Sequence, residues 1–378
     1  MNMFYLLCKR LGVAGICCCF TFSAFAQLNN TLLCDRISME VSDTSNFGIA
    51  LQANPYMRNT EYFSRIELGR TLFGYQLQPS IYLQPHAHIR LQAGSYLRKD
   101  YGSNTTFSRV LPTFTVKIQS GHHAFLFGTL EGALAHGLIE PLWDINSNIE
   151  RRIENGFQYR LVSPKTFADV WINWERFIER GSPYKEQFTT GFHFAPQLIS
   201  KKKTTLTIPL QFTAFHRGGQ IDTDTGKVIM YFNGAAGLVL KTTLSSPVFK
   251  SWTASAYSVF NRENTQSGYF AFRNGIGTYA NLALQTRWMD FMLSYWNGNN
   301  YIAPRGTAIY QSVSADQAGY TEAGRQLLFF RLLYEKELYA HLNIVIRYEP
   351  FIDLGNKQFD YAFSVYLLYR ENFSLGNF

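Results

Sequence analysis

Cysteine is almost absent from the 378-residue chain beyond its first segment. Cys8, Cys17, Cys18 and Cys19 lie in or beside the N-terminal apolar run, and only Cys34 follows. The remainder therefore has no internal disulfide and no cysteine metal site. Charge is scarce too: Asp, Glu, Lys and Arg make up 16% of residues, against roughly 25% in soluble domains. After the N-terminal run, no apolar stretch approaches the ~20 residues of a transmembrane helix, and mean hydropathy is −0.13. G-x-S-x-G, H-E-x-x-H, clustered His/Cys and phosphate-loop patterns are all missing. These absences exclude a disulfide-stapled scaffold, a helical membrane protein and the motif-bearing hydrolases. With catalytic, cofactor and metal motifs missing, the reading is of a protein that is not an enzyme.

What is present is aromatic and alternating. The chain holds 32 Phe and 23 Tyr. Lys9 and Arg10 precede the apolar run 11–22, and Ala24-Phe25-Ala26 forms an A-x-A site before Gln27. That is the grammar of a secretory signal peptide, residues 1–26. The cysteine run lies inside the apolar region rather than at its end, which argues against a lipoprotein. Downstream, "AHIRLQAGSYLR" (87–98) sets Ile89, Leu91, Ala93 and Leu97 against His88, Arg90, Gln92, Tyr96 and Arg98. Side chains on a strand alternate faces, so this is a two-faced strand. Stretches 205–215, 341–349 and 361–369 repeat the pattern, with Pro209 marking an irregularity or a rim position.

About sixteen such strands (14–18) are expected across 45–378, after a short periplasmic segment at 27–44. Gaps near 85, 121, 164, 201, 247 and 287 are short. Gaps at 55–66, 136–155, 178–187, 217–228 and 298–325 are longer. Alternating short and long connections imply an antiparallel up-and-down order, with tight turns on one rim and loops on the other. An all-β transmembrane barrel satisfies this; a soluble sandwich or propeller is the alternative. Trp143, Trp171, Trp174, Trp252, Trp288 and Trp296 suit interfacial girdles, or else ordinary packing.

This pattern resembles the porin-like outer-membrane barrels of Gram-negative bacteria. The stretches 59–83 and 93–102 look like ones in uncharacterised barrel proteins of the Bacteroidota. Phe378 is similar to the aromatic C-terminus used in barrel assembly, although Gly376 and Asn377 break the alternation before it. The resemblance implies an integral protein of the cell outer membrane, in contact with lipid and lipopolysaccharide.

Strand parity places Arg90, Arg109, Lys117, Arg160, Arg287, Arg331 and Arg347 inside, with Glu131, Asp169, Glu175, Asp290 and Glu349. A sixteen-strand barrel is wide enough for an aqueous channel, so these are the expected pore-lining residues. Any constriction is expected from inward-folded loops 136–155 and 298–325, since the N-terminal segment is too short for a globular plug. The first holds Arg151 and Arg152 beside Glu140, Asp144, Glu150 and Glu154. His86 and His88 share a strand face that could ligate a metal but lack a third ligand at useful spacing, and His122 and His123 point to opposite faces; His193, His216 and His341 are the histidines to watch for a triad completed by distant residues. The net charge of +8 is spread along the chain, which suits channel or lipopolysaccharide electrostatics and gives no sign of nucleic-acid binding. Passive passage of small polar solutes with mild anion preference is the leading functional expectation. A non-conducting accessory barrel docking surface lipoproteins or other outer-membrane proteins is the second, and a lipid-modifying enzyme the third.

Overall fold

The large apolar side chains left exposed point away from the enclosed side of the strands, while most of the buried charged and amide side chains point into it. In β3 (Ile89–Asp100), Arg90, Gln92 and Tyr96 are buried, while Ile89, Leu91, Ala93 and Leu97 stay partly exposed. Ile81, Phe127 and Ile276, on other strands, are 66%, 63% and 67% exposed. A soluble sandwich would turn such residues inward. A lipid-facing shell requires them outside.

The structure, a computed structural model, describes residues 28–39, 44–265 and 268–378; the expected signal peptide lies outside the described residues. In chain order the strands are β1 (Asn46–Glu61), β2 (Thr71–His86), β3, β4 (Arg109–Ser120), β5 (His123–Thr129), β6 (Asn155–Val162), β7 (Thr166–Arg176) and β8 (Glu186–Ser200). There follow β9 (Thr204–Thr207), β10 (Leu210–Gly218), β11 (Ile229–Thr243), β12 (Phe249–Glu263) and β13 (Asn274–Thr286). The last are β14 (Asp290–Asn299), β15 (Gly324–Tyr339), β16 (Leu342–Asp353) and β17 (Gln358–Asn377). β9 and β10 are halves of one stave, since each pairs with both β8 and β11. The break falls at Ile208-Pro209, where proline has no N–H for the ladder. Its carbonyl still accepts from the Gly237 N–H at 3.0 Å. All pairings are antiparallel, and β1 closes on β17 from Asn46↔Asn377 to Glu61↔Tyr361. The result is a closed sixteen-stave barrel without a free edge.

One rim carries only tight turns, at 87–88, 121–122, 163–165, 201–203, 244–248, 287–289 and 340–341. The other carries the long loops, with a single tight turn at 354–357. β5 ends at Thr129, not near 135 as its apolar continuation suggests, because the chain turns inward at Gly132 and Ala133.

The interior is filled. Loops 130–154 and 300–323 fold into the lumen, where Leu138, Leu142, Trp143, Tyr301, Ile309 and Tyr310 pack on inward wall aromatics including Trp171, Tyr279, Trp296 and Phe329. From the opposite rim, residues 28–39 enter as a strap, and Leu28 and Leu33 pack against Tyr56, Leu333, Val345 and Tyr366. Two expectations are thereby corrected. The constriction does not come from the loops alone, because the strap runs inside the barrel. The tryptophans are not one girdle: Trp143, Trp171 and Trp296 lie in the luminal core, whereas Trp174 and Trp288 are exposed.

Candidate functional site

The plug is docked through ion pairs on inward strand positions. Glu140 of the first loop accepts from Arg331 of β15 at 2.5 Å and from the Tyr310 hydroxyl of the second loop at 2.6 Å. Arg331 also donates to Ser294, and its neighbour Glu349 takes Arg58 and Arg347, each at 2.8 Å. The loops hold one another: the Asp144 N–H donates to the Arg305 carbonyl, and the Tyr301 hydroxyl to that of Pro141. The strap is stitched in the same way. The Ile37 N–H donates to Glu131, Lys117 donates to the Ile37 carbonyl, Arg347 pairs with Asn30, and Arg152 pairs with Asp35. Buried charges need such partners, because desolvating an ion alone costs several kcal/mol or more.

At the base of the first loop lies a histidine clamped between two carboxylates. His136 faces Asp169 of β7 through Nδ1 and Glu154 through Nε2, each at 2.9 Å. Its ring stacks on Trp171 with centroids 3.7 Å apart and meets Trp143 edge-on. Burial works against charge on this imidazole, but the two carboxylates outweigh it and hold its pKa up at about 9. Glu154 also accepts from the Ala133 N–H at 2.6 Å. Ala133 sits at φ 50°, a left-handed conformation that L side chains avoid. The turn that aims the clamp is therefore strained, and its contacts keep it so. Gln158 donates to Asp169 from β6.

Glu154 also lines a vestibule of about 290 Å³ at the long-loop rim. Arg109, Arg151, Arg176 and Arg305 converge on it, with Asn155 and Asn173 between them. Arg109 donates to the Glu150 carbonyl, Arg176 lies over the Tyr184 ring, and Arg305 is held by Glu175 and Thr189. Trp174 and Phe177 stand exposed on the adjoining outer surface, 40% and 69% respectively. Chemically, this is an anion-binding cup with a buried carboxylate in its floor and an apolar bank beside it.

A second cavity, about 460 Å³, opens at the tight-turn rim among Arg36, Arg90 and Arg370. Between the two lies a void of about 20 Å³ lined by Gln52, Gln78, Gln92, Thr113 and Thr115. It shares Ile37, Gln52 and Gln92 with the lower cavity and Ile153 with the upper one.

The charged residues expected inside fall into three groups. Lys117, Arg160, Arg331, Arg347, Glu131, Asp169 and Glu349 are buried in the plug network. Arg90 lines the lower cavity, while Arg109 and Glu175 line the upper one. Asp290 is half-buried at the foot of β14. Arg287 is a correction: it sits exposed in the 287–289 turn, because β13 ends at Thr286 and parity stops with it. Of the three histidines singled out, His193 donates to the His136 carbonyl at 3.0 Å, His216 packs on Phe188, and His341 pairs with Glu371 at the lower rim. His136 itself was not anticipated. The available signal was an unusually apolar loop, "ALAHGLIEPLWDI" (133–145), which solvent would not hold open. Among the described residues no His/Cys/Asp/Glu group has metal-binding geometry.

In overall shape the barrel is similar to solved outer-membrane proteins. OprD from Pseudomonas aeruginosa matches with 11% identity over 89% of this chain and 98% of its own, at TM-score 0.50. A loop-deleted OmpT from Vibrio cholerae matches with 7% identity over 86% of this chain and all of its own, at TM-score 0.52. At such identity the likeness is one of fold, that of integral outer-membrane barrels. No curated protein matches. Residues 39–378 match the family described as Lipid A 3'-O-deacylase-type. An enzyme family overturns the expectation of a non-enzymatic barrel, which rested on missing linear motifs that residues gathered from separate strands and loops do not need. Because the match spans the whole barrel, the chain belongs to the Lipid A 3'-O-deacylase-type family.

Proposed function

We propose that the protein hydrolyses an acyl ester of lipid A at the external vestibule. The observation that carries this reading is Glu154. It lines an arginine-rich cup at the long-loop rim and is tied to the His136–Asp169 pair behind it. Lipid A presents phosphate groups at the level of the external rim, and guanidinium groups bind phosphate in bidentate fashion. Its acyl chains would lie along the outer bank near Trp174 and Phe177. Glu154 then serves as general base: it takes a proton from water, the oxygen adds to the ester carbonyl, and the sugar C–O leaves as an alcohol once protonated. His136 and Asp169 act as positioning residues. They fix the carboxylate, while the arginines that line the cup supply the positive charge for the developing oxyanion.

Mass spectrometry of lipid A incubated with the detergent-extracted barrel tests this. The expected product is lipid A lacking one acyl chain, with free fatty acid released. Glu154→Gln should lower the rate at least 100-fold, in the range lost with a general base. Arg176→Gln should mainly raise KM. A well-folded wild-type protein that releases no fatty acid refutes the proposal.

A second reading is favoured by one specific observation, the chain of cavities joined by shared lining residues from rim to rim. It supports a narrow, porin-like path for small polar solutes beside the plug.

A further inference from the structure

We infer that the cavity at the periplasmic rim is a binding site for a small anionic carbohydrate, such as a sugar phosphate. Three guanidinium groups from three separate elements line it: Arg36 from the strap, Arg90 from β3 and Arg370 from β17. The carboxylates nearby already have partners. Glu371 meets His341 at 3.1 Å, and Asp35 is taken by Arg152, with Arg370 at 3.5 Å. Arg90 is pinned in orientation, its guanidinium 3.8 Å from the Tyr82 ring centre and donating to the Asn372 side chain at 3.2 Å. A stacked, preorganised guanidinium loses little freedom when it meets a phosphate or carboxylate.

The rest of the lining suits the uncharged part of such a ligand. Gln52, Gln92 and Asn372 present amides, which give both donors and acceptors to hydroxyl groups. The volume of about 460 Å³ accommodates a phosphorylated monosaccharide with a few waters and falls within the ordinary range of small-molecule pockets. Arg370 meets Asp35, Gln92 donates to Ser80 and Asn372 to Ser38, so the lining is held in place, and its guanidiniums favour an anionic ligand over an uncharged one.

The placement has a mechanical corollary. Arg36, Ile37 and Ser38 belong to the strap, whereas Arg90 and Arg370 belong to the wall. A bound anion bridges the two and holds the strap in the lumen. Cys34, buried on that strap, reports the event, because its thiol reacts only when the strap loosens.

The test is calorimetry on the full detergent-solubilised barrel with glucose 6-phosphate, glucose and inorganic phosphate, alongside thiol-labelling rates at Cys34. Glucose 6-phosphate should bind at least tenfold more tightly than glucose and more tightly than phosphate, and it should slow Cys34 labelling several-fold. Arg90→Gln and Arg370→Gln should each weaken binding about tenfold, while Arg287→Gln, on an exposed turn outside both cavities, should not. Equal affinity for glucose, or loss of binding in Arg287→Gln alone, overturns the site. So does absence of binding in a protein that shows wild-type melting and Cys34 protection. Because the readout is binding at the periplasmic rim, it is independent of hydrolysis at the external one.

Discussion

His136 shows how one side chain can carry both the plug and the site. Its two nitrogens are committed to Asp169 and Glu154, and its ring face to Trp171. The folded state holds its pKa at about 9, above the ordinary value of 6.5. A pKa raised on folding stabilises the protein fully below the unfolded value, and that contribution is lost as pH rises through the folded one. The window is therefore pH 6.5 to 9, and the contribution is about 3 kcal/mol at most. Tryptophan fluorescence should follow the same step, since a protonated imidazole stacked on indole quenches it. Titration of the wild type should show emission rising near pH 9 together with a fall in melting temperature. His136→Gln should melt lower at neutral pH and lack the step. An emission change centred near pH 6.5 in the wild type would mean that the clamp does not hold the proton.

At the level of elements, each stave separates two demands that the sequence mixes. β10 illustrates it: Leu210 is 40% exposed on the lipid side, whereas Gln211 is buried and bonded to the Ile139 N–H and the Gly137 carbonyl. The stave count and the alternation of tight turns with loops were legible because lipid imposes a strict period of two and export topology sorts the connections by length. The contents of the lumen were not. Arg331 and Arg347 are polar and inward whether they meet water or a docked carboxylate, so parity cannot distinguish a wet channel from a salt-bridged plug. The clamp stayed hidden for another reason: His136, Glu154 and Asp169 come from a loop, a strand entrance and a strand, with no fixed spacing to recognise. Substitutions on the two faces of β10 separate these effects. Leu210→Arg should block membrane assembly, at a cost of about 2–4 kcal/mol near the midplane. Gln211→Arg, which would be harmless in a water-filled interior, should assemble yet release loop 130–154 to added protease. Protection of that loop in Gln211→Arg, or normal insertion of Leu210→Arg, would contradict the face assignment.

For the whole molecule, the question is how much of a sixteen-stave barrel remains passable. Two loops and the strap occupy the centre, and what is left runs beside the β1–β5 wall. The waist, about 20 Å³, is close to the ~10–15 Å³ needed for a single water. Conductance of the intact protein in planar bilayers should therefore lie far below that of an open barrel of this size. Replacing loop 300–323 by a short turn removes Tyr301, Ile309 and Tyr310 from the core and should raise conductance at least tenfold. A path controlled by the arginines at both mouths, Arg36, Arg90 and Arg370 below and Arg109, Arg151, Arg176 and Arg305 above, would prefer anions. The reversal potential in a salt gradient should show that preference and lose it toward 1 M salt, where the screening length falls to about 3 Å. The Arg90→Gln, Arg109→Gln double variant should shift it toward neutrality. If the intact barrel already conducts as well as the loop variant, the plug does not seal the lumen. If the loop variant conducts with cation preference, the arginine-lined mouths do not control the path.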